Sequence, residues 1–350
     1  MGKATQEKNS TVPIFSMKVS VIVINYNGGD LTNNCLGALE TQSFKDFEII
    51  LVDNGSTDNS LEGIRNFLEK RHLTQPLKII SLDVNLGFSG GNLAGIDKAE
   101  AEYIALLNND TEPDRSWLGN LVKAMEANPD IGICASKMIV HGTDVIDSAG
   151  DGFSTLLKGF KRGEGEDKGK YNREELVFGA CAGAALYWRK MLEEIGFFDK
   201  DFFLIQEDTD LNLRAQLAGW KVMFVPTAVV HHKVRSTIGH MSDDAVYYSL
   251  RNSELVRLKN IPFIIFLRCF PEFVVAEIAD FLYFAVKHRK LKCYLKAKID
   301  VILSLKSTLG KRKHVMQNIK KVGTSYLYSV MTPVWDRRFF VAKVRKLFHG

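Results

Sequence analysis

Apolar and polar positions along the first 136 residues repeat one alternation. "KVSVIVINYN" (Lys18–Asn27) is a continuous, β-branched apolar run, which predicts a strand buried on both faces. A helical stretch from Asp30 to about Thr41 follows it. "FEIILVDNGSTD" (Phe47–Asp58) repeats the pattern, with a strand, an acidic turn and a helix over Asn59–Lys70. "LKIISLD" predicts a third strand and Ser89–Ala101 a third helix. "YIALLN" (Tyr103–Asn108) is a fourth strand, Arg115–Ala127 is helical and "IGICAS" (Ile131–Ser136) is a fifth strand. Strands alternating with helices imply a mostly parallel α/β sheet covered on both faces, with ligands outside the carboxyl ends of its strands. Polar clusters fall at those ends: Asn25–Asn27, Asp53–Asp58, Asn85–Asn92 and Asn108–Glu112. Turn chemistry accounts for any one of them; four on one edge call for more.

The pattern then changes. Gly150–Asn172 is rich in glycine and charge and reads as a flexible excursion that can act as a lid. "VFGACAGAALYWR" (Val177–Arg189) is a tightly packed strand and turn. Glu207 and Asp208 open a helix that Gly219 ends, and Lys221–His232 is a strand closing on two histidines.

Composition adds little, since 46% hydrophobic and 25% charged residues describe an ordinary globular chain. Five scattered cysteines without a CxxC pair argue against a zinc site or a disulfide framework and suit a reducing cytosol. Residues 1–16 are polar, lack the apolar core of a signal peptide and read as a flexible tail. Charge is more informative. Of the net +5, Lys287–Gly350 carries +15, with 17 Lys/Arg against 2 Asp/Glu, and the remainder −10. A basic tail on an acidic body predicts a polyanionic surface nearby, and no nucleic-acid-binding module is present. Ile261–Val286 holds 15 Leu, Ile, Phe and Val. Their insertion is worth about −7 kcal/mol, against about 12 kcal/mol for Arg268, Glu272, Glu277 and Asp280. That favours lying in a membrane interface, or capping the domain, over spanning.

The candidate chemistry is oxygen-rich. DxD-type motifs after a strand hold a divalent cation and a diphosphate; here the motif reads Asn108-Asn109-Asp110, so Asp110 supplies the anionic ligand, although an Asx turn explains it equally well. "NLGFSGGNLAG" (Asn85–Gly95) lets backbone approach a sugar or phosphate but matches neither a Walker loop nor GxGxxG. Asp53 can accept the imide N–H of uracil or thymine. Glu207 and Asp208 suit the helix dipole, and a carboxylate there can also serve as a general base. The pair His231-His232 can ligate a cation.

Six stretches in this order resemble family 2 glycosyltransferases of the GT-A fold, most closely the rhamnosyltransferase-like branch: "VSVIVINYNGGDLTNNCLGAL", "IILVDNGSTDNS", "NLGFSGGNLAG", "ALLNNDTEPDRSWL", "GFFDKDFFLIQEDTDLNLRAQLAGWKV" and "AVVHH". The resemblance implies a GT-A domain over 17–260 and a C-terminal helical extension over 261–350. It implies nucleobase contacts at Asn25, Tyr26 and Asp53, a cation (Mg2+ or Mn2+) and diphosphate at Asp110 with Asn108 beside it, a base at Asp208, and a histidine, His231, reaching cation or diphosphate. Asn27, Asn85, Gly91, Asn92 and Asn109 join the nucleotide-sugar contacts, with Glu207 and Gly183 beside the acceptor. The implied reaction is inverting transfer from a UDP- or dTDP-sugar, dTDP-rhamnose by branch, to a saccharide or lipid-linked saccharide in cell-surface polysaccharide synthesis. The enzyme would be peripheral on the cytoplasmic face of an anionic membrane. A nucleotidyltransferase would share such a sheet but needs a basic Gly-rich loop where Asn25-Tyr26-Asn27 stands; a silent saccharide- or membrane-docking protein would not need Asp110, Asp208 and His231.

Overall fold

The computed structural model describes residues 17–71, 74–234 and 241–336; the N-terminal tail, and the basic stretch beyond 336, lie outside them. In chain order it contains β1 (Val19–Asn25), α1 (Gly29–Glu40), β2 (Phe47–Asp53), α2 (Ser60–Glu69), β3 (Leu77–Ser81), α3 (Gly87–Asp97), β4 (Tyr103–Asn108), β5 (Thr111–Pro113) and α4 (Trp117–Glu126). Next come β6 (Ile131–Val140), β7 (Ile146–Ala149), β8 (Asp151–Phe153), β9 (Gly159–Lys161), β10 (Glu175–Val177), β11 (Ala184–Trp188), α5 (Arg189–Ile195), α6 (Glu207–Ala218) and β12 (Lys221–His232). The C-terminal part is helical: α7 (Asp243–Asn260), α8 (Phe263–Arg268), α9 (Phe270–Asp280), a π-helical turn (Phe281–Lys287), α10 (Leu291–Leu303), α11 (Leu305–His314), a second π-helical turn (Val315–Ile319) and α12 (Thr324–Ser329).

The main sheet runs β10-β12-β6-β11-β4-β1-β2-β3, with β5 on β12 and β7 on β6. The strands β1, β2, β3, β4, β6 and β12 all point one way, and β11 is inserted antiparallel between β4 and β6. The period of two along β1 divides its side chains between two cores. Val19, Val21 and Val23 join Leu36, Leu39, Ile64, Trp117 and Leu121 from α1, α2 and α4. Ile22 faces the other core, with Leu213 and Leu217 of α6. On that side α3 approaches so closely that a Cβ on Gly95 would lie 2.6 Å from Ile22 Cγ2.

Helix α6 is buried nearly all round, because α7 and the second π-helical turn cover the side turned away from the sheet. A helix enclosed on all sides has no polar face, and α6 instead neutralises its charges internally. Asp210, fully buried, pairs with Arg214 at 2.8 Å and Lys259 at 2.9 Å and accepts from Asn260 Nδ2 at 2.8 Å. The expected flexible excursion is ordered. β8 and β9 form a hairpin, and the buried Lys137 Nζ donates to the carbonyls of Lys168 and Lys170 at 2.6 and 2.7 Å. The glycines and charges there serve turns at Gly163 and Gly165, both at positive φ, and the pairing of Lys161 with the buried Asp147.

Candidate active site

The parallel register brings the ends of β1, β2 and β4 level, with Asn25 opposite Asp53 and Ile24 opposite Asn108. Asn25 is fully buried and fully used. Its Nδ2 donates to Asp53 Oδ1 at 2.8 Å, and its Oδ1 accepts from Thr32 Oγ1 at 2.8 Å. It rivets two loops together from behind the surface. Asn27, held at φ 51°, accepts from Thr57 N at 2.8 Å and does the same from the exposed side. Asp53 accepts from Asn25 and, at 2.6 Å, from Ser56 Oγ, both on Oδ1; its Oδ2 receives no hydrogen bond among the described residues. The half-buried Tyr26 lies between these loops. Asn25 and Asn27 thus shape the loops around Asp53.

The glycine-rich loop is likewise built by its own polar groups. Asn85 Oδ1 accepts from Asn54 Nδ2 at 3.0 Å and Gly87 N at 2.8 Å. Asn92 Nδ2 donates to Phe88 O at 2.9 Å. A Cβ on Gly91 would lie 3.1 Å from Ile24 Cδ1, so this glycine seats α3 on β1. Gly87, at φ 71°, would place a Cβ 2.4 Å from Phe203 O; it admits the segment that leads into α6.

At the end of β4, Asn108 N donates to Gly183 O at 2.8 Å, and a Cβ on Gly183 would sit 3.1 Å from Asn108 Nδ2. Gly183 leaves room for that amide. Asn109 Nδ2 donates to Thr32 Oγ1 at 3.0 Å. Asp110, 7% exposed, has Oδ1 3.3 Å from His232 Nε2. This is His232 and not the expected His231: neighbours on a strand face opposite sides, and His231 points to Asp114 Oδ1, 3.4 Å away, on the more exposed face. His232 Nδ1 donates to Asp147 Oδ2 at 2.8 Å, and Asp147 also accepts from Lys161 Nζ at 2.8 and 2.9 Å. Burial alone would lower the imidazole pKa, but Asp110 and Asp147 outweigh it and hold it up at about 9. Burial opposes the Asp147 charge too, yet His232 and Lys161 draw its pKa down to about 2.

A carboxylate and an imidazole nitrogen suit Mn2+ or Mg2+ provided other oxygens complete the shell. Among the described residues no group of three or more His, Cys, Asp or Glu does so, so substrate phosphates would have to. With a cation on Nε2, Asp147 would fix the ring through Nδ1–H, the usual carboxylate–histidine arrangement.

The segment before α6 is strained. Phe203, Ile205 and Gln206 have φ of 56°, 67° and 76°, a left-handed conformation uncommon for such side chains. Asn252 of α7, fully buried, clamps it by donating Nδ2 to the carbonyls of Phe202, Leu204 and Ile205, each at 2.8 Å. The path delivers Asp208, partly exposed, with Oδ1 accepting from Thr209 N at 2.7 Å and a further hydrogen bond from the backbone N–H of Ala182. Ala182 precedes Gly183, which holds Asn108, so the helix-start carboxylate and the β4 motif share one short stretch of backbone. Burial raises the Asp208 pKa. Glu207 is 7% exposed, its Oε2 has no hydrogen-bond partner among the described residues, and burial with the Asp208 charge pushes its pKa well up.

Three residues absent from the sequence expectations line the same region: Asp147, Asp151 and Lys161. Asp151 pairs with Lys161 across the hairpin; burial and the Asp208 charge push its pKa up to about 8. With Asp110 and His232 they form a run of charged groups, Asp110–His232–Asp147–Lys161, that continues across the hairpin to Asp151, whose carboxyl feels the charge of Asp208. The signal was present as Asp147 and Asp151, four apart around a glycine at φ 83° (Gly150), but Asp151 and Lys161 fall in the stretch whose composition reads as a lid.

Comparison with known proteins agrees with this architecture. Residues 20–196 match the family model described as Glycosyl transferase family 2. The chain is 24% identical over 240 residues to a poly-beta-1,6-N-acetyl-D-glucosamine synthase of Staphylococcus epidermidis, covering 68% of this chain and 55% of that one; it thus spans about half the length of that relative. Among solved structures, S. aureus TarS 1–349 in complex with UDP-GlcNAc superposes with TM-score 0.54 at 17% identity, over 86% of this chain and 88% of that one. The mannosyltransferase PcManGT from Pyrobaculum calidifontis, in complex with GDP-Man and Mn2+, does so with TM-score 0.52 at 17% identity, over 95% and 88%. At such identities the superpositions show the shared GT-A fold. With the family model covering half of the chain, this protein belongs to glycosyltransferase family 2.

Proposed function

We propose that the protein is an inverting transferase that moves a sugar from a UDP- or dTDP-sugar to a saccharide or lipid-linked saccharide in cell-surface polysaccharide synthesis, next to an anionic membrane on its cytoplasmic side. The observation that carries this reading is the contact of Asp110 with His232 at the strand ends, with Asp53 at the end of β2 and Asp208 at the start of α6. Asp53 Oδ2 would accept the pyrimidine N3–H. Asp110 and His232 would hold a divalent cation, which neutralises the diphosphate as it leaves. Asp208, the more accessible of the two helix-start carboxylates, would take the proton of the acceptor hydroxyl. The acceptor oxygen then bonds to the anomeric carbon from one face while the bond to the diphosphate oxygen breaks on the other, its electron pair leaving with the nucleotide. Attack opposite the leaving group inverts the centre. The sugar is assigned only by branch, as rhamnose.

Calorimetric titration of UDP, dTDP and GDP with and without Mn2+ tests this. Pyrimidine nucleotides should bind better than GDP and need the metal, and Asp110→Ala should abolish the metal dependence. Metal-independent binding, or equal binding of GDP, would contradict the reading.

A further inference from the structure

Among the described residues, 17 of the 23 exposed large apolar side chains fall between Phe263 and Leu309. Such a concentration on a surface marks an interaction site. The elements concerned are contiguous: α8 packs on α9, α9 on the first π-helical turn, that turn on α10, and α10 on α11. Helices α10 and α11 turn their inner side to α7 through Ala297, Val301 and Thr308, and the apolar side chains stand on the outside. Ile264 is 66% exposed, Val275 62% and Ile302 68%.

The distribution of charge decides what covers this face. Glu272, Glu277, Asp280 and Asp300 are its acidic residues, and none is exposed. Glu277 pairs with Arg257 at 2.9 Å and with Lys298, Asp280 pairs with Lys158, and Asp300 accepts from Tyr247 Oη at 2.6 Å. Of the acids that weigh against lipid contact in the linear sequence, Glu277 and Asp280 are therefore matched by cations, and Glu272 is part-buried in the first turn of α9. Between Phe263 and Lys313 the exposed charged side chains are all positive (Arg268, Lys287, Arg289, Lys292, Lys296, Lys306 and Lys313), while the exposed Asp243 of α7 at its edge pairs with Lys290. A second copy docking face to face would bring like charges together. An anionic bilayer would take both components, apolar side chains into the acyl boundary and ammonium groups onto phosphates. No helix among the described residues is long and apolar enough to cross a membrane.

We infer that α8 to α11 form a shallow insertion surface for an anionic phospholipid bilayer, embedded by its apolar side chains rather than only adsorbed by charge. This deepens the reading of a membrane-proximal transferase and rests on it only for the acceptor.

The test is flotation of the full chain with vesicles of phosphatidylglycerol and phosphatidylcholine, or of phosphatidylcholine alone, in low and high salt. The full chain should float with the anionic vesicles, and at least half should stay bound in high salt, since apolar burial is not screened. The triple variant Ile264→Glu/Val275→Glu/Ile302→Glu should lose at least tenfold in bound fraction with its melting temperature unchanged. Should that variant unfold, Lys292→Glu/Lys296→Glu/Lys306→Glu decides: it should remove the difference between the two vesicle types. Equal flotation of the variants, complete release by salt, or a dimer that the apolar variant dissociates without any vesicle binding would overturn the inference. UDP titration on the same preparations separates failure here from failure of the transferase assignment.

Discussion

Asp147→Asn is the most informative single change, because it keeps a side-chain shape and deletes one charge from the middle of the run Asp110–His232–Asp147–Lys161. The native carboxylate accepts from His232 Nδ1 at 2.8 Å and from Lys161 Nζ at 2.8 and 2.9 Å. An amide oxygen can serve one of those donors; the NH2 group then meets the other donor head on. A hydrogen bond involving a charged group is worth about 1.5–3 kcal/mol, and the partly exposed Lys161 can recover water, so a folding cost near the lower end, about 2 kcal/mol, is expected. Cation binding should suffer separately. Loss of the group that orients a ligating histidine costs about 10–100-fold in metal affinity, or about 1.4–2.8 kcal/mol, the worth of one such hydrogen bond. The assay is electron paramagnetic resonance of free Mn2+ during titration in the presence of UDP, which reads binding without turnover. A Mn2+ affinity equal to wild type in the folded variant would refute the placement of His232 at the cation.

Other consequences follow from the segment and helix that carry Asp208. Asn252→Leu removes the donor to three carbonyls around residues at positive φ; stability should fall by about 1–3 kcal/mol, seen as a lower melting temperature, and transfer should fall more than nucleotide binding because Asp208 shifts while Asp53 and Asp110 do not. Asp210→Asn leaves Arg214 without its ion-pair partner and Lys259 with Asp199 alone; destabilisation of about 3 kcal/mol is expected. Burial would raise the Asp210 pKa, but Arg214 and Lys259 pull it below the ordinary value. Its contribution is therefore present above the unfolded pKa of about 3.9 and lost as pH falls through the folded one. In urea melts, wild type and Asp210→Asn should converge in acid and diverge toward neutrality; a constant difference would refute the sign.

The parallel half of the sheet was legible because its signals are local. Tyr103–Asn108 carries both its apolar run and its boundary, and β1 and β2 likewise differ from expectation by a residue or two. What depends on distant pairing was not. β5 is three residues long and exists only because β12 lies beside it. The choice between His231 and His232 depends on strand register, and a period of two makes adjacent residues opposite in direction. Lys161 sits in a stretch whose composition imitates a loop, and its partner Asp147 lies outside that stretch, so their meaning lies in each other. Asn25, Asn27, Asn85 and Asn92 were recognised as polar groups at strand ends, but only their hydrogen bonds reveal that they hold loops in shape. In the C-terminal region the apolar and basic residues were plain; that cations match Glu277 and Asp280 was not.

As the proposed base, Asp208 competes with one neighbour. Glu207, its neighbour, is buried, and residues adjacent on a helix point about 100° apart, so the two cannot face the reacting carbon alike. The direct measurement is single-turnover consumption of the nucleotide sugar selected by titration, at saturating donor, for Asp208→Asn and Glu207→Gln. Asp208→Asn should bind donor normally while transfer falls by about 10²–10⁴-fold, the worth of a positioned base, and Glu207→Gln should lose much less. Near-normal transfer by Asp208→Asn with collapse in Glu207→Gln would contradict the account.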